Sequence, residues 1–334
     1  MKRWILRALM VSACFLILPR QTPAPLIFRA GEGWYYEPVG GGSWVRQLPR
    51  EQLEISEQAF EKGEFEVALR SALRTVRVWP YSDYAPKAQY MVGRCYEEKN
   101  WDERAFKEYQ KLLEKYPKIE AYEEVLGRQY AIAHRFLEGQ RFRLWGRIPL
   151  FASMDKTSQM YEKVIKNGPY SIVAPQAQLD IGAAREKQSS FLNRISPYRE
   201  AVKAYETAAD RYHDRPVVAA EALYKAGLAY QKQARKAEYD QSVAGRAITT
   251  FSDFVTLYPD DPRVPEVKQI MQELRTEQSR GSFEIARYYE TQERWDGALV
   301  YYNEALIKDP DSVYAQRAKS RIEELNRLRE ERNQ

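Results

Sequence analysis

The chain has 334 residues, 44% hydrophobic and 30% charged, with 24 Tyr and 7 Trp, a balance that excludes wholesale disorder and suits amphipathic helices. Its formal charge of +5 comes largely from Lys2, Arg3, Arg7 and Arg20, in a leader that carries no acid. The remainder is nearly neutral and lacks the basic excess of a nucleic-acid binder, so no nucleic-acid partner is expected.

Residues 2–7 (KRWILR) are basic, and residues 8–18 (ALMVSACFLIL) form an apolar run that ends at Pro19. A membrane-spanning helix needs about twenty apolar residues. The shorter run suits the core of an export signal over residues 1–24, with its cleavage site open. Val11, Ser12, Ala13 and Cys14 resemble a lipobox, which makes Cys14 a candidate lipidation site. A second reading keeps Cys14 as one apolar residue of the run, because Phe15 to Leu18 continue it. Either way the rest of the chain is expected in the cell envelope, facing the periplasm, and lipidation would anchor it to the inner face of the outer membrane. Residues 25–49 are rich in Gly, Pro, Trp and Tyr without period and are expected to form an extended arm.

From residue 50 to 310, helical apolar spacing alternates with Pro-containing breaks. Ala68, Ala105, Ala247 and Ala298 each stand twelve residues before a proline (Pro80, Pro117, Pro259 and Pro310), and Ala201 stands twelve before His213. Four residues after the alanine comes a ring in Tyr109, Tyr205, Phe251 and Tyr302. On a helix these offsets share one face, where the small residue admits a neighbour and the ring fills the next layer. The proline ends the helix. A partner helix repeats too: PYSDYAPKAQYMVGRCY (80–96) parallels PYSIVAPQAQLDIGAAR (169–185), and Ala222, Gly227 and Tyr230 match Ala88, Gly93 and Tyr96. Cys95, among Met91, Val92 and Tyr96, reads as a small buried hydrophobe. The two-helix unit resembles the tetratricopeptide repeat, with a stretched period. The expected fold is an all-α solenoid of about six helix pairs. Residues 311–334 would cap it, with Ile322, Leu325 and Leu328 turned inward.

Residues 134–154 break this grammar. Arg135, Arg141, Arg143, Trp145 and Arg147 gather around Gly139 and Gly146, and Arg and Trp are enriched at binding hot spots, so these five are candidate partner contacts. In the repeats, Tyr90, Arg94 and Glu97 are candidates for a groove lined by the first helix of each pair. Only His134 and His213 occur, neither at metal-ligand spacing, and no phosphate loop or nucleophile elbow is present. No enzymatic activity, cofactor, metal or small-molecule substrate is expected.

The leader, the phrase PYSDYAPKAQ after a Trp79-Pro80 helix end, and the late segment ARYYETQERWDGALVYYNEAL (286–306) together resemble the outer-membrane protein assembly lipoprotein family, the BamD-like tetratricopeptide-repeat proteins. Trp79 stands where that family's pattern has Tyr. The resemblance implies a periplasm-facing subunit that contacts the barrel-assembly subunit and receives unfolded outer-membrane proteins, with the first two repeats as the client end. The runner-up is a general periplasmic adaptor for cell-wall or envelope-complex assembly.

Overall fold

The repeated alanines explain the architecture. In the computed structural model, which describes residues 26–29, 33–36, 44–144, 148–192, 196–236 and 241–332, Ala68, Ala105, Ala201, Ala247 and Ala298 are all fully buried. The rings four residues on, Tyr109, Tyr205, Phe251 and Tyr302, are buried beside them. Thirteen helices are present among the described residues: α1 (Pro49–Glu61), α2 (Phe65–Val78), α3 (Ala85–Glu98), α4 (Asp102–Lys115), α5 (Tyr122–Leu137), α6 (Met154–Asn167), α7 (Ala174–Leu192), α8 (Ser196–Arg211), α9 (Pro216–Lys236), α10 (Gln241–Leu257), α11 (Val264–Thr291), α12 (Trp295–Lys308) and α13 (Val313–Arg332). In chain order six first helices alternate with six second helices before a closing helix, the all-α helical-repeat fold expected from the sequence. The even-numbered helices are the second members of the pairs; all but α6 carry the alanine, and all but α2 the ring. Pro80, Pro117, Pro259 and Pro310 each lie two residues beyond the last helical residue of α2, α4, α10 and α12.

Two compact units make up the chain, one ending at Asn100 and one beginning at Trp101. In the first, α2 packs on α1 and α3 around Ala59, Ala68, Ala72, Val92 and Cys95. Burial pushes the Cys95 thiol up to about 12, which makes it an inert packing group at neutral pH. This unit also holds a short antiparallel hairpin in the arm, β1 (Leu26–Arg29) on β2 (Gly33–Tyr36). In the second, each helix from α4 to α13 packs on the next.

Close approach within a pair depends on glycine opposite the ring. A Cβ on Gly182 of α7 would lie 2.3 Å from the Tyr205 ring of α8, and one on Gly227 of α9 would lie 2.4 Å from Phe251 of α10. The third pair lacks the alanine: Thr157 of α6 occupies that slot, fully buried, and donates its hydroxyl to Ser153 O at 3.0 Å. The closing helix buries Ala315, Ala318 and Leu325. Leader residues 1–24, Cys14 among them, lie outside the described residues.

Candidate partner-binding surfaces

The break in the repeat grammar is a β-hairpin. The left-handed conformation of Gly139 (φ 117°) turns the chain out of α5, and β3 (Phe142–Leu144) then pairs antiparallel with β4 (Ile148–Phe151). A register shift after Phe142 bends the ladder at its root. The expected all-α array had no strands here, and this short ladder departs from it, because the run FRLWGRIPLF has no helical period and a glycine at its centre.

The root of this hairpin is tied to the helices. Phe142 is buried and stacks on Phe136 of α5 with centroids 4.1 Å apart. Phe151 lies 6.2 Å beyond Phe142, and the Lys156 ammonium of α6 covers both rings at 5.1 and 4.7 Å. At the start of α4, the buried Asp102 carboxylate accepts from Arg135 Nη2 and from Gln140 Nε2, each at 2.5 Å. The neighbouring Glu103 carboxylate accepts from the backbone N–H of Arg143 at 2.5 Å. Acids at a helix N-terminus also meet the favourable end of its dipole.

The five insertion candidates therefore divide. Arg135 is committed to Asp102 and holds the hairpin root. Arg141 is exposed, and Arg143 is half-buried with its side chain on β3. Trp145 and Arg147 lie outside the described residues, between the two strands. The groove candidates share one face of α3. Arg94 sits 5.0 Å from the Phe60 ring of α1 and 6.0 Å from the Tyr90 ring, and its Nη1 reaches Tyr90 Oη at 3.5 Å. Glu97, three residues on, is half-exposed.

Sequence reasoning missed a set of tyrosine–carboxylate bonds that lock neighbouring helices, both within a pair and from one pair to the next. Tyr205 donates to Glu186 at 3.0 Å, Tyr230 to Glu206 at 2.8 Å and Tyr302 to Glu290 at 2.6 Å. The signal was present, since a tyrosine in a buried ring slot needs an acceptor for its hydroxyl. Tyr130 likewise donates to the buried Asp180 of α7 at 2.8 Å, with His134 Nδ1 at 3.4 Å from the same carboxylate. These partners satisfy one another and tie α5 to α7. No cluster of three metal-ligating side chains occurs among the described residues, and no described helix is long and apolar enough to cross a membrane.

Comparison with known proteins bears on what these surfaces are for. A tetratricopeptide-repeat model matches residues 87–118. No curated protein matches the sequence. Among solved structures, the chain is similar to the C-terminal part of a TPR repeat-containing protein from Cytophaga hutchinsonii (14% identity, 81% of this chain and 87% of that one, TM-score 0.37). It is similar also to a tetratricopeptide repeat protein from Parabacteroides merdae (12% identity, 84% and 98%, TM-score 0.33). A third likeness is to YrrB, described as a TPR protein with an unusual peptide-binding site (14% identity, 66% and 91%, TM-score 0.33). The family model described as "Outer membrane lipoprotein" (YfiO) matches residues 153–334, more than half of the chain, from the end of the hairpin through α13. A repeat of paired helices matched over most of its second unit in this way is a protein-interaction scaffold, and the chain belongs to the outer membrane lipoprotein family.

Proposed function

We propose that the protein is a non-catalytic, periplasm-facing scaffold of the β-barrel outer-membrane protein assembly machinery, which holds the barrel subunit and unfolded client proteins. The observation that carries this reading is the family match over residues 153–334, joined to a helical-repeat architecture suited to holding proteins. In this reading Cys14 is the lipid anchor. The α3 face with Tyr90, Arg94 and Glu97 receives extended client segments, where an arginine packed between two rings offers a flat apolar plate with a charged edge. The hairpin docks the barrel subunit through Arg141, Arg143, Trp145 and Arg147, on a root bonded to the start of α4. No cofactor, metal or small-molecule substrate takes part.

Affinity purification from detergent-solubilised membranes tests the assignment. A large outer-membrane barrel protein is expected to co-purify in constant ratio. Recovery of cell-wall enzymes with no barrel protein would replace it with the general envelope adaptor.

A further inference from the structure

The second unit leaves large apolar side chains bare along its turns. Tyr170 is 91% exposed and Ile172 80% in the α6–α7 turn, and Val217 is 84% exposed at the start of α9. Leu257, Ile307 and Val313 repeat the pattern at the α10–α11 and α12–α13 turns. In an up-and-down array, turns from the second helix of one pair to the first helix of the next fall on one edge. The first two are direct neighbours, because Tyr212 Oη donates to Pro169 O at 3.4 Å across them. Beside them opens a cleft of about 530 Å³ whose lining includes Tyr170, Ile165, Ile181, Lys166 and Arg211, with Glu162 as its acid.

No packing need explains a tyrosine, an isoleucine and a valine left almost wholly in water on adjacent turns, since polar residues there would leave the core intact. Rings and branched aliphatics at loop tips, with cations set just behind them, match the headgroup boundary of a bilayer, where the apolar tip enters and the charge meets phosphate. We propose that the turn edge of α6–α9 is a membrane-contact surface for anionic phospholipid, with Tyr170, Ile172 and Val217 entering the headgroup boundary and Lys166 and Arg211 holding lipid phosphate. The surface is separate from the leader and independent of the scaffold reading above. It would lay this edge against the bilayer and leave the hairpin and the other faces free for protein.

The test uses the full chain with an environment-sensitive fluorophore on Ile172→Cys, and on Tyr288→Cys near the C-terminal end of α11, at the opposite end of the helices, as control. Both sites are exposed and Cys95 is buried, and the unsubstituted chain labelled in parallel subtracts any reaction at Cys14, so the signal reports the chosen position. With phosphatidylethanolamine–phosphatidylglycerol vesicles, the position-172 label is expected to shift to the blue and be quenched by a lipid-borne quencher, and the position-288 label is expected to stay unchanged. In a Cys14→Ser background, Lys166→Gln and Arg211→Gln are each expected to weaken vesicle binding about fivefold. An unchanged position-172 label on chains that float with the vesicles would show that the anchor alone holds them and would overturn the inference. Equal shifts at both positions would overturn it as unspecific adhesion. A position-172 response to detergent-solubilised membrane protein and none to vesicles would make the edge a protein interface.

Discussion

Gly182 shows how a single missing methyl group sets the spacing of a helix pair. Its helix lies so close to α8 that an added Cβ would sit 2.3 Å from Tyr205 Cε1. The ring has nowhere to go, since Tyr205 is buried and its hydroxyl is fixed to Glu186 at 3.0 Å. Burial, joined by the negative Glu186 carboxylate, pushes the Tyr205 hydroxyl far above its ordinary range, so it remains a donor at any working pH. Gly182→Ala is therefore expected to destabilise the protein by about 1–3 kcal/mol through overpacking, although alanine is the better helix former by about 1 kcal/mol. Thermal or denaturant melts decide which effect wins, and a stabilised variant would show that the pair can separate freely. The small-residue positions were legible in the sequence because they recur at fixed offsets. Their partners were not, because contact between Gly182 and Tyr205 depends on how two helices cross.

The elements differ in how openly the sequence displays them. Helices α2, α4, α8, α10 and α12 announce themselves through the alanine-to-proline interval, and each was legible to within a few residues. The third pair hid its slot behind Thr157, which packs as alanine does only because its hydroxyl returns to Ser153 O. The hairpin was legible as a break and not as strands, since three and four residues of β pattern do not stand out beside arginines. Its arginines looked equivalent in sequence and are not. Arg135 closes a bond to a carboxylate that burial leaves with few alternatives, whereas Arg141 points to solvent. Arg135→Ala is expected to lower stability by about 1–2 kcal/mol, a buried-acceptor loss reduced by the 39% exposure of the arginine side chain. Replacing Arg141, Arg143 and Trp145 together by Ala is expected to leave the melt nearly unchanged and to cost roughly 2 kcal/mol of partner binding. A melt beside a pulldown on the same variants separates the two effects. Lost stability with binding retained in the triple variant would make the hairpin a packing element.

At the scale of the molecule, a repeat array is as strong as its ends, because a terminal pair has a neighbour on one side only. Here α13 is held by more than its apolar stripe. Arg321 of α13 forms an ion pair with Glu290 of α11 and a second with Glu324 at 2.5 Å, and Tyr302 of α12 donates to the same Glu290 carboxylate at 2.6 Å. Three helices thus meet at one acid. Burial alone would raise the Glu290 carboxyl, but the bonds from Arg321 and Tyr302 together outweigh it and hold the group below its ordinary value of 4.5. Asp261 is held low in the same sense by Arg263, which bonds it at 2.9 and 2.8 Å while lying over the Tyr224 ring. A carboxyl whose folded pKa is depressed lends stability that is complete above the unfolded pKa and fades as pH falls through the folded one. The melting temperature is therefore expected to be level near neutrality and to drop as pH falls below about 4.5. Glu290→Gln keeps an acceptor for Tyr302 and removes the charge, so at neutral pH it is expected to lose about 1 kcal/mol, discounted for the partly exposed Arg321. In acid the wild type loses the same charge, and the two melting curves should converge. A deficit that persists undiminished at pH well below the ordinary carboxylate value would mean that the cap is held by Ala315, Ala318 and Leu325, with Glu290 a bystander.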